Sequence, residues 1–344
     1  MRVAMWYNNE DVRVEKMPIP QIGPGELLVR VEASGICGTD VLEWYRIHKA
    51  PLVLGHEIAG EIIDVGKGID RFKKDDKVIV AHHVPCNTCH YCLRGHHTVC
   101  DTLRQTSVDP GGFAEFIRVP AINVDRGVFV IPNETSFEEA SFAEPLACVL
   151  RGQRIAGVHS GDNVVVFGSG LAGLLHIQAA RMAGASRVIA TDISEHRLSA
   201  AQQYGADVTI HAEEDIPSCV CDALEGQLAD IVIVCTGATS AMNSALRSVD
   251  RGGTVLMFAA AERDATIPVS INDLFWRTEI TLTSSYAGSP ADYNTALEMI
   301  SSKRLNVSEM ITHRLKLAEI GLGFHLTAHP EEQNSLKVIV QPQR

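Results

Sequence analysis

Between residues 160 and 285 the apolar positions fall into short continuous runs, separated by stretches with helical spacing. Residues 164–167 are apolar throughout, the pattern of a strand buried on both faces of a parallel sheet. Residues 172–183 then read as a helix, 187–191 as a second strand and 195–203 as a helix. Further strands follow at 208–210, 231–234, 254–258 and 279–283, with a helix at 238–249. This alternation predicts an α/β doubly wound parallel sheet. The first third differs. Short alternating runs at 2–7, 12–16, 26–33, 57–65, 77–82 and 113–119, split by glycine and charged clusters, predict a β-rich domain. Near residue 136 the sequence Ser136-Phe137-Glu138-Glu139 forms a capping-box pattern. Helical stretches run on to 143 and again over 145–156. After the sheet, 290–301 and 317–327 read as helices and 336–341 as a last strand. No repeat or low-complexity linker separates the parts, so the join is expected to be a packed hinge with a cleft.

The first strand of the alternating region runs straight into Gly168-Ser169-Gly170-Leu171-Ala172-Gly173, a G-x-G-x-x-G spacing. The first glycine permits a sharp turn, the second lets a pyrophosphate approach the backbone, and the third lets helix and sheet pack closely. The helix start offers free N–H groups and a positive dipole end to phosphate. The second strand ends at Asp192, nineteen residues after Gly173, where a carboxylate can accept bonds from both ribose hydroxyls of NAD. Arg197 lies in the next helix and joins the candidate cofactor residues. A lone glycine motif is often only a turn; here strand, glycines, helix, strand and acid occur in the order that dinucleotide binding needs.

Composition narrows the partners. At 344 residues the chain has room for two or three domains. Its formal net charge of −12 argues against nucleic acid or anionic membrane as partners. No apolar run approaches the roughly 18 residues of a membrane span, and the N-terminal residues lack a signal-peptide pattern. Nine cysteines then point to metal or free thiols in a cytoplasmic setting, not to a disulfide framework.

Four of the nine are Cys86, Cys89, Cys92 and Cys100, within fifteen residues. Four thiolates this close can close a tetrahedron round Zn²⁺ and leave no position for water, the mark of a structural site. Iron–sulfur or free thiols are the competing readings, and no second cluster motif supports the former. The nearby His82, His83, His90, His96 and His97 receive no role and read mostly as solvated loop residues.

A second set is dispersed. Cys37 lies in Gly-Ile-Cys-Gly-Thr-Asp, His56 and Glu57 follow in Gly-His-Glu, and Glu144 precedes Pro145. One thiolate, one imidazole and one carboxylate make a three-ligand metal site with an open position. Spacing alone leaves blander readings open: a buried small cysteine, a core histidine, and a helix N-terminal acid at Glu144.

Taken together and in order, Cys-Gly-Thr-Asp, Gly-His-Glu, the four-cysteine loop, Glu-Pro-Leu and Gly-Ser-Gly-Leu-Ala-Gly resemble the zinc-dependent medium-chain dehydrogenases from end to end. The sorbitol and threonine dehydrogenase branch is the most similar. The resemblance implies a GroES-like catalytic domain over 1–145, with its structural zinc loop near 82–105. A Rossmann domain would span 146–284, and 285–344 would return to the catalytic domain, with the active site in the cleft. It further implies two zinc ions per chain. One would be held by Cys37, His56 and either Glu57 or Glu144, the other by Cys86, Cys89, Cys92 and Cys100. Asp40 would orient His56 and Thr39 would take the substrate proton, while Gly168, Ser169, Gly170, Leu171, Ala172, Gly173, Asp192 and Arg197 would hold NAD.

The implied activity is oxidation of a secondary alcohol, such as a polyol, to its ketone in a homodimer or homotetramer. Threonine-like hydroxy-amino acids or phosphorylated polyols are alternative substrates. A non-catalytic dinucleotide-binding protein is a distant rival. Leu42 stands where the branch often has a proton-relaying histidine, and the Cys37–His56 loop is short and carries Arg46, His48 and Lys49. These charges could overhang the metal as a cationic rim, or could be ordinary solvated surface.

Overall fold

The computed structural model describes residues 1–344, which divide into two compact units, Cys148–Tyr286 on one side and Met1–Ala147 with Ala287–Arg344 on the other. The first of these is built on six parallel strands. Their spatial order is Val208–His211, Arg187–Asp192, Asn163–Phe167, Ala229–Val234, Val249–Met257 and Thr281–Ser284. Numbered along the chain this is 3-2-1-4-5-6, the Rossmann order, with its topological switch between Asn163–Phe167 and Ala229–Val234. Val164, Val165, Val166 and Phe167 are fully buried, which explains the unbroken apolar run. Val165, Phe167, Ile189, Val232, Val234 and Val255 belong to one core cluster. The helix Leu171–Ala183 stops at Gly184, whose left-handed backbone closes the last turn. The helix Ile216–Ala223 has no counterpart in the hydrophobic pattern. It opens with Pro217 in its first turn and buries only Ile216 and Val220, too few positions to show a period.

The other unit is β-rich. Its seven-stranded sheet runs Ile311–Lys316, Lys337–Gln341, Leu27–Gly35, Glu57–Val65, Lys77–Ala81 and Val128–Val130, with Phe116–Val119 also paired to Leu27–Gly35. A three-stranded sheet joins Asp11–Lys16, Arg2–Asn8 and Leu52–Val53. The last strand comes from the far end of the chain and pairs antiparallel with Leu27–Gly35, so this domain is split around the Rossmann fold. Trp6, Val29, Val31, Ile62, Ile117 and Phe324 fill its core, with Phe113 meeting Phe324 edge to face. The capping box at Ser136 is formed in both directions and starts Phe137–Ala140. The following helix, Ala143–Ala156, begins two residues before Pro145, because the first helical turn tolerates proline. No helix is long and apolar enough to cross a membrane.

Candidate metal and cofactor sites

Cys37 ends the loop after Leu27–Gly35 and caps a single turn of 3₁₀ helix, Gly38–Val41. The cap works in both directions: the Cys37 N–H donates to Asp40 Oδ2 at 3.1 Å, and the Cys37 sulfur accepts the Thr39 N–H at 3.5 Å. The Thr39 hydroxyl lies 3.3 Å from the same sulfur. His56 precedes the strand Glu57–Val65 and Glu57 opens it, and that strand pairs with Leu27–Gly35 through Gly35 and Glu57. Strand pairing thus brings Cys-Gly-Thr-Asp against Gly-His-Glu. The ligand atoms of Cys37, His56 and Glu57 all lie within 4.8 Å of one another.

Asp40 is fully buried, and its Oδ1 sits 3.3 Å from His56 Nδ1. A second cation helps hold this carboxylate: Arg46 Nη2 is 3.8 Å from Oδ1, and Arg46 Nε donates to the Thr39 carbonyl. Burial works against charge on His56, but the adjacent Asp40 carboxylate and Cys37 sulfur outweigh it and raise the imidazole well above its ordinary range. Burial likewise works against ionised Asp40, and His56 and Arg46 overcome it, so that its pKa is lowered. With Nδ1 turned to a carboxylate, His56 has Nε2 left for a metal, as metal-bound histidines need. Glu57 Oε1 is buried and has no hydrogen-bond partner, an acceptor that a cation would satisfy. The residues therefore fit a zinc ion. Glu144 is buried in the first turn of Ala143–Ala156 and lies outside this three-residue group.

Two histidines without a role in the sequence reading belong here. The His82 ring lies 4.9 Å from His56, and the His83 ring lies 3.9 Å from that of His82, tilted by 40°, with its Nδ1 against the Thr106 carbonyl. Both are partly buried, whereas His90 and His96 are exposed. Burial lowers His83 to about 4 and His82 well below its ordinary range, so both are neutral near pH 7. Their signal was position: they directly follow Lys77–Ala81, whose Ala81 pairs with Glu57.

The sulfur atoms of Cys86, Cys89, Cys92 and Cys100 form the second compact group. Cys86 and Cys92 sulfurs are 3.9 Å apart and those of Cys89 and Cys92 3.6 Å. This is too long for a disulfide and close to the edge of about 3.8 Å of a tetrahedron with Zn–S bonds of about 2.3 Å. Backbone N–H groups of Thr88 and Cys89 point at Cys86 Sγ, and these bonds, the one from Thr88 foremost, bring its thiol down to about 5. Oriented amides favour thiolate, the form that binds metal. The small apolar cluster round Cys92, Cys100 and Leu103 is too slight to hold the lobe alone.

The glycine turn sits at the switch point of the parallel sheet. Gly168 has φ +90°, and a Cβ there would meet the Cys235 carbonyl at 3.2 Å. A Cβ on Gly173 would lie 1.9 Å from the Gly168 oxygen, so only glycine lets the helix start this near the strand. Asp192 ends the second strand with Oδ2 accepting from Ser169 N and Oδ1 from Ser194 N, at 2.8 and 3.0 Å. Arg197 does reach this place: its Nη1 is 3.8 Å from Asp192, and its guanidinium carbon lies 3.9 Å from the space a Cβ on Gly170 would fill.

Residues 172–302 match the family described as Zinc-binding dehydrogenase, and residues 23–131 match the Alcohol dehydrogenase GroES-like domain. The chain belongs to the zinc-binding medium-chain dehydrogenases and, within them, is sorbitol dehydrogenase-like. It is 32% identical to sorbitol dehydrogenase of Gallus gallus over 332 residues, 93% of this chain and 91% of that one. It is 30% identical to the Homo sapiens enzyme of that name, covering 94% and 95%. Among solved structures, galactitol-1-phosphate dehydrogenase of Escherichia coli superposes with a TM-score of 0.86 at 28% identity, covering 99% and 100%. A Sinorhizobium meliloti 1021 protein of the zinc-binding dehydrogenase type, solved bound to NADP, superposes at 0.88 and 28% identity, covering 99% of each chain. The chain is thus a member of an alcohol and polyol dehydrogenase enzyme family.

Proposed function

We propose that this protein is an NAD-dependent dehydrogenase that interconverts a polyol, or a similar small secondary alcohol, and its ketone. The observation that carries the reading is the Cys37–His56–Glu57 group with Asp40 behind His56. When bound, the metal supplies Lewis acidity toward an alcohol oxygen and the nicotinamide supplies a hydride acceptor. Cys37 and His56 hold the metal, with Glu57 as third ligand. Glu144, buried but outside the group, is the alternative carboxylate ligand that the resemblance implies. Thr39, already within reach of Cys37 Sγ, accepts the alcohol proton, and Asp40 keeps His56 in the tautomer that leaves Nε2 for metal. Leu42 carries no proton onward, so the exit from Thr39 runs through water or cofactor hydroxyls. Cys86, Cys89, Cys92 and Cys100 hold a second, structural zinc.

Gly168, Ser169, Gly170, Leu171, Ala172 and Gly173 bind the pyrophosphate, and Asp192 the adenosine ribose. A carboxylate here repels a 2′-phosphate, which supports NAD over NADP. Arg197 beside it is the one feature that softens this preference, and the NADP-bound relative makes the comparison of both cofactors worthwhile. The protein acts in the cytoplasm as a homo-oligomer. Thr281–Ser284 ends the parallel sheet with one unpaired edge, and Leu282 on it and Trp276 and Tyr286 close to it in sequence are exposed, which supports association there.

A phosphorylated polyol is the second reading. It is favoured by the similarity to galactitol-1-phosphate dehydrogenase and by the exposed Lys49 on the loop after Cys37, since Arg46 beside it is held by Asp40 and the Thr39 carbonyl. Initial rates of NAD reduction with sorbitol, other polyols, threonine and polyol phosphates test both readings. A neutral polyol should give the highest kcat/KM; a preference for the phosphates would move the assignment to the second reading, and no turnover with any secondary alcohol would refute both.

A further inference from the structure

Lys337 is the one lysine among the buried residues, and it is 1% exposed. It opens the last strand of the chain, and its ammonium is ion-paired with Oε2 of Glu57, itself fully buried. The same ammonium donates to the Ile36 carbonyl, next to Cys37, at 3.1 Å, and lies 5.9 Å from the centre of the Phe142 ring. The space for the pair is built into the neighbouring strand. A Cβ on Gly35 would fall 1.9 Å from Glu57 Oε2 and 2.6 Å from Lys337 Cε. Burying a lysine and a carboxylate together is rarely better for stability than an apolar pair of the same size. Something other than stability therefore explains this pair, and the group it touches is the candidate metal site.

We infer that Lys337 is a positioning residue of the catalytic metal centre: it pins one oxygen of Glu57, leaves Oε1 for the metal, and offsets the charge of that ligand. The inference rests on the reading of Cys37, His56 and Glu57 as metal ligands. Two anionic ligands would neutralise a divalent cation. A lysine on one of them withdraws part of that compensation, so the metal keeps more positive character and polarises an alcohol oxygen more strongly. Gly35 and Lys337 come from opposite ends of the sequence, so the returning strand completes the site as well as the sheet.

The sign of the effect is specific. Partners that raise a ligand's basicity tighten metal binding, and their loss weakens it by about 10- to 100-fold. Lys337 does the opposite to Glu57, so its removal should tighten binding. Lys337→Met, and Lys337→Gln as the variant that keeps an N–H donor, should be compared with the parent by zinc content and by the rate of zinc release to a chelating dye. The visible spectrum after cobalt substitution, and kcat and KM, complete the comparison. We expect catalytic zinc to leave at least about tenfold more slowly and kcat to fall by about tenfold, with structural zinc and KM for NAD unchanged and the cobalt bands shifted. Lys337→Arg should recover both rates. Release that is unchanged or faster in whichever neutral variant folds, or an arginine variant indistinguishable from it, overturns the inference. A parent with only one zinc would instead overturn the metal-site reading beneath it.

Discussion

Replacing His176 with leucine should make the Rossmann domain measurably less sensitive to acid. His176 lies on Leu171–Ala183, the helix that carries Gly173, and is fully buried with its ring edge-on to Phe258 at 4.5 Å. Its Nε2 has no partner, and burial brings its pKa down to about 3. The folded protein therefore excludes a proton that the unfolded chain takes up near pH 6.5. Unfolding binds protons between these values, so stability falls as pH drops from about 6.5 toward about 3 and is fully present above 6.5. The slope is about 1.4 kcal/mol per pH unit, so this one side chain costs about 2.5 kcal/mol between pH 6.5 and 4.5. Leucine keeps the apolar contact and gives up only the long 3.4 Å contact between the Gln153 amide and His176 Nδ1, because that amide also donates to the His176 main-chain carbonyl at 2.8 Å. Urea unfolding followed by far-UV circular dichroism at pH 7.5, 6.5, 5.5 and 4.5 gives the test. Zinc loss and other carboxylates affect both proteins alike and cancel in the difference. At pH 7.5 the variant should be as stable as the parent or slightly more so. The difference should then grow in the variant's favour by about 1.4 kcal/mol per unit below pH 6.5. Parallel stability curves would refute the claim that His176 stays neutral in the fold.

Gly173→Ala should weaken NADH binding at least about tenfold, since a methyl at 1.9 Å from the Gly168 oxygen must push the phosphate-binding helix off the sheet; NADH fluorescence titration checks it, and an unchanged Kd would count against the turn as the cofactor site. Asp192→Ala should cut the preference for NAD over NADP by about tenfold or more, read as the ratio of kcat/KM values. Equal use of both cofactors by the parent would remove the basis of that assignment. Arg46→Ala should slow every substrate alike, because Arg46 is committed to Asp40 and the Thr39 carbonyl; a loss confined to phosphorylated substrates would restore it as a substrate-binding cation.

How much of this was legible in the sequence depends on the range of the interaction. The Rossmann half was readable because its signals are local: Val164–Phe167 is apolar because both faces of the strand are covered, and the glycines follow within a few residues. The four cysteines were readable for the same reason. The Cys37–His56–Glu57 group was only suggestive by spacing, because it depends on the pairing of Gly35 with Glu57, which no periodicity reveals. Resemblance supplied it. His82 and His83 read as loop residues because nothing in the chain shows that the turn after Ala81 is packed against His56. Arg46 read as part of a free rim because its commitment to Asp40 runs through side chains. Lys337 carries no signal in the sequence: one lysine at the head of an apolar strand looks like an edge charge until the strand's place beside Gly35 is known.

Metal content of the purified chain, measured together with turnover, tests the central claim most directly. The parent should carry two zinc ions per chain and reduce NAD with a secondary alcohol. Cys37→Ser should carry one, fold and bind NADH as before, and lose essentially all turnover. A parent with a single zinc, or a Cys37→Ser protein that keeps both zinc and activity, would contradict the assignment of Cys37, His56 and Glu57 as the catalytic metal site.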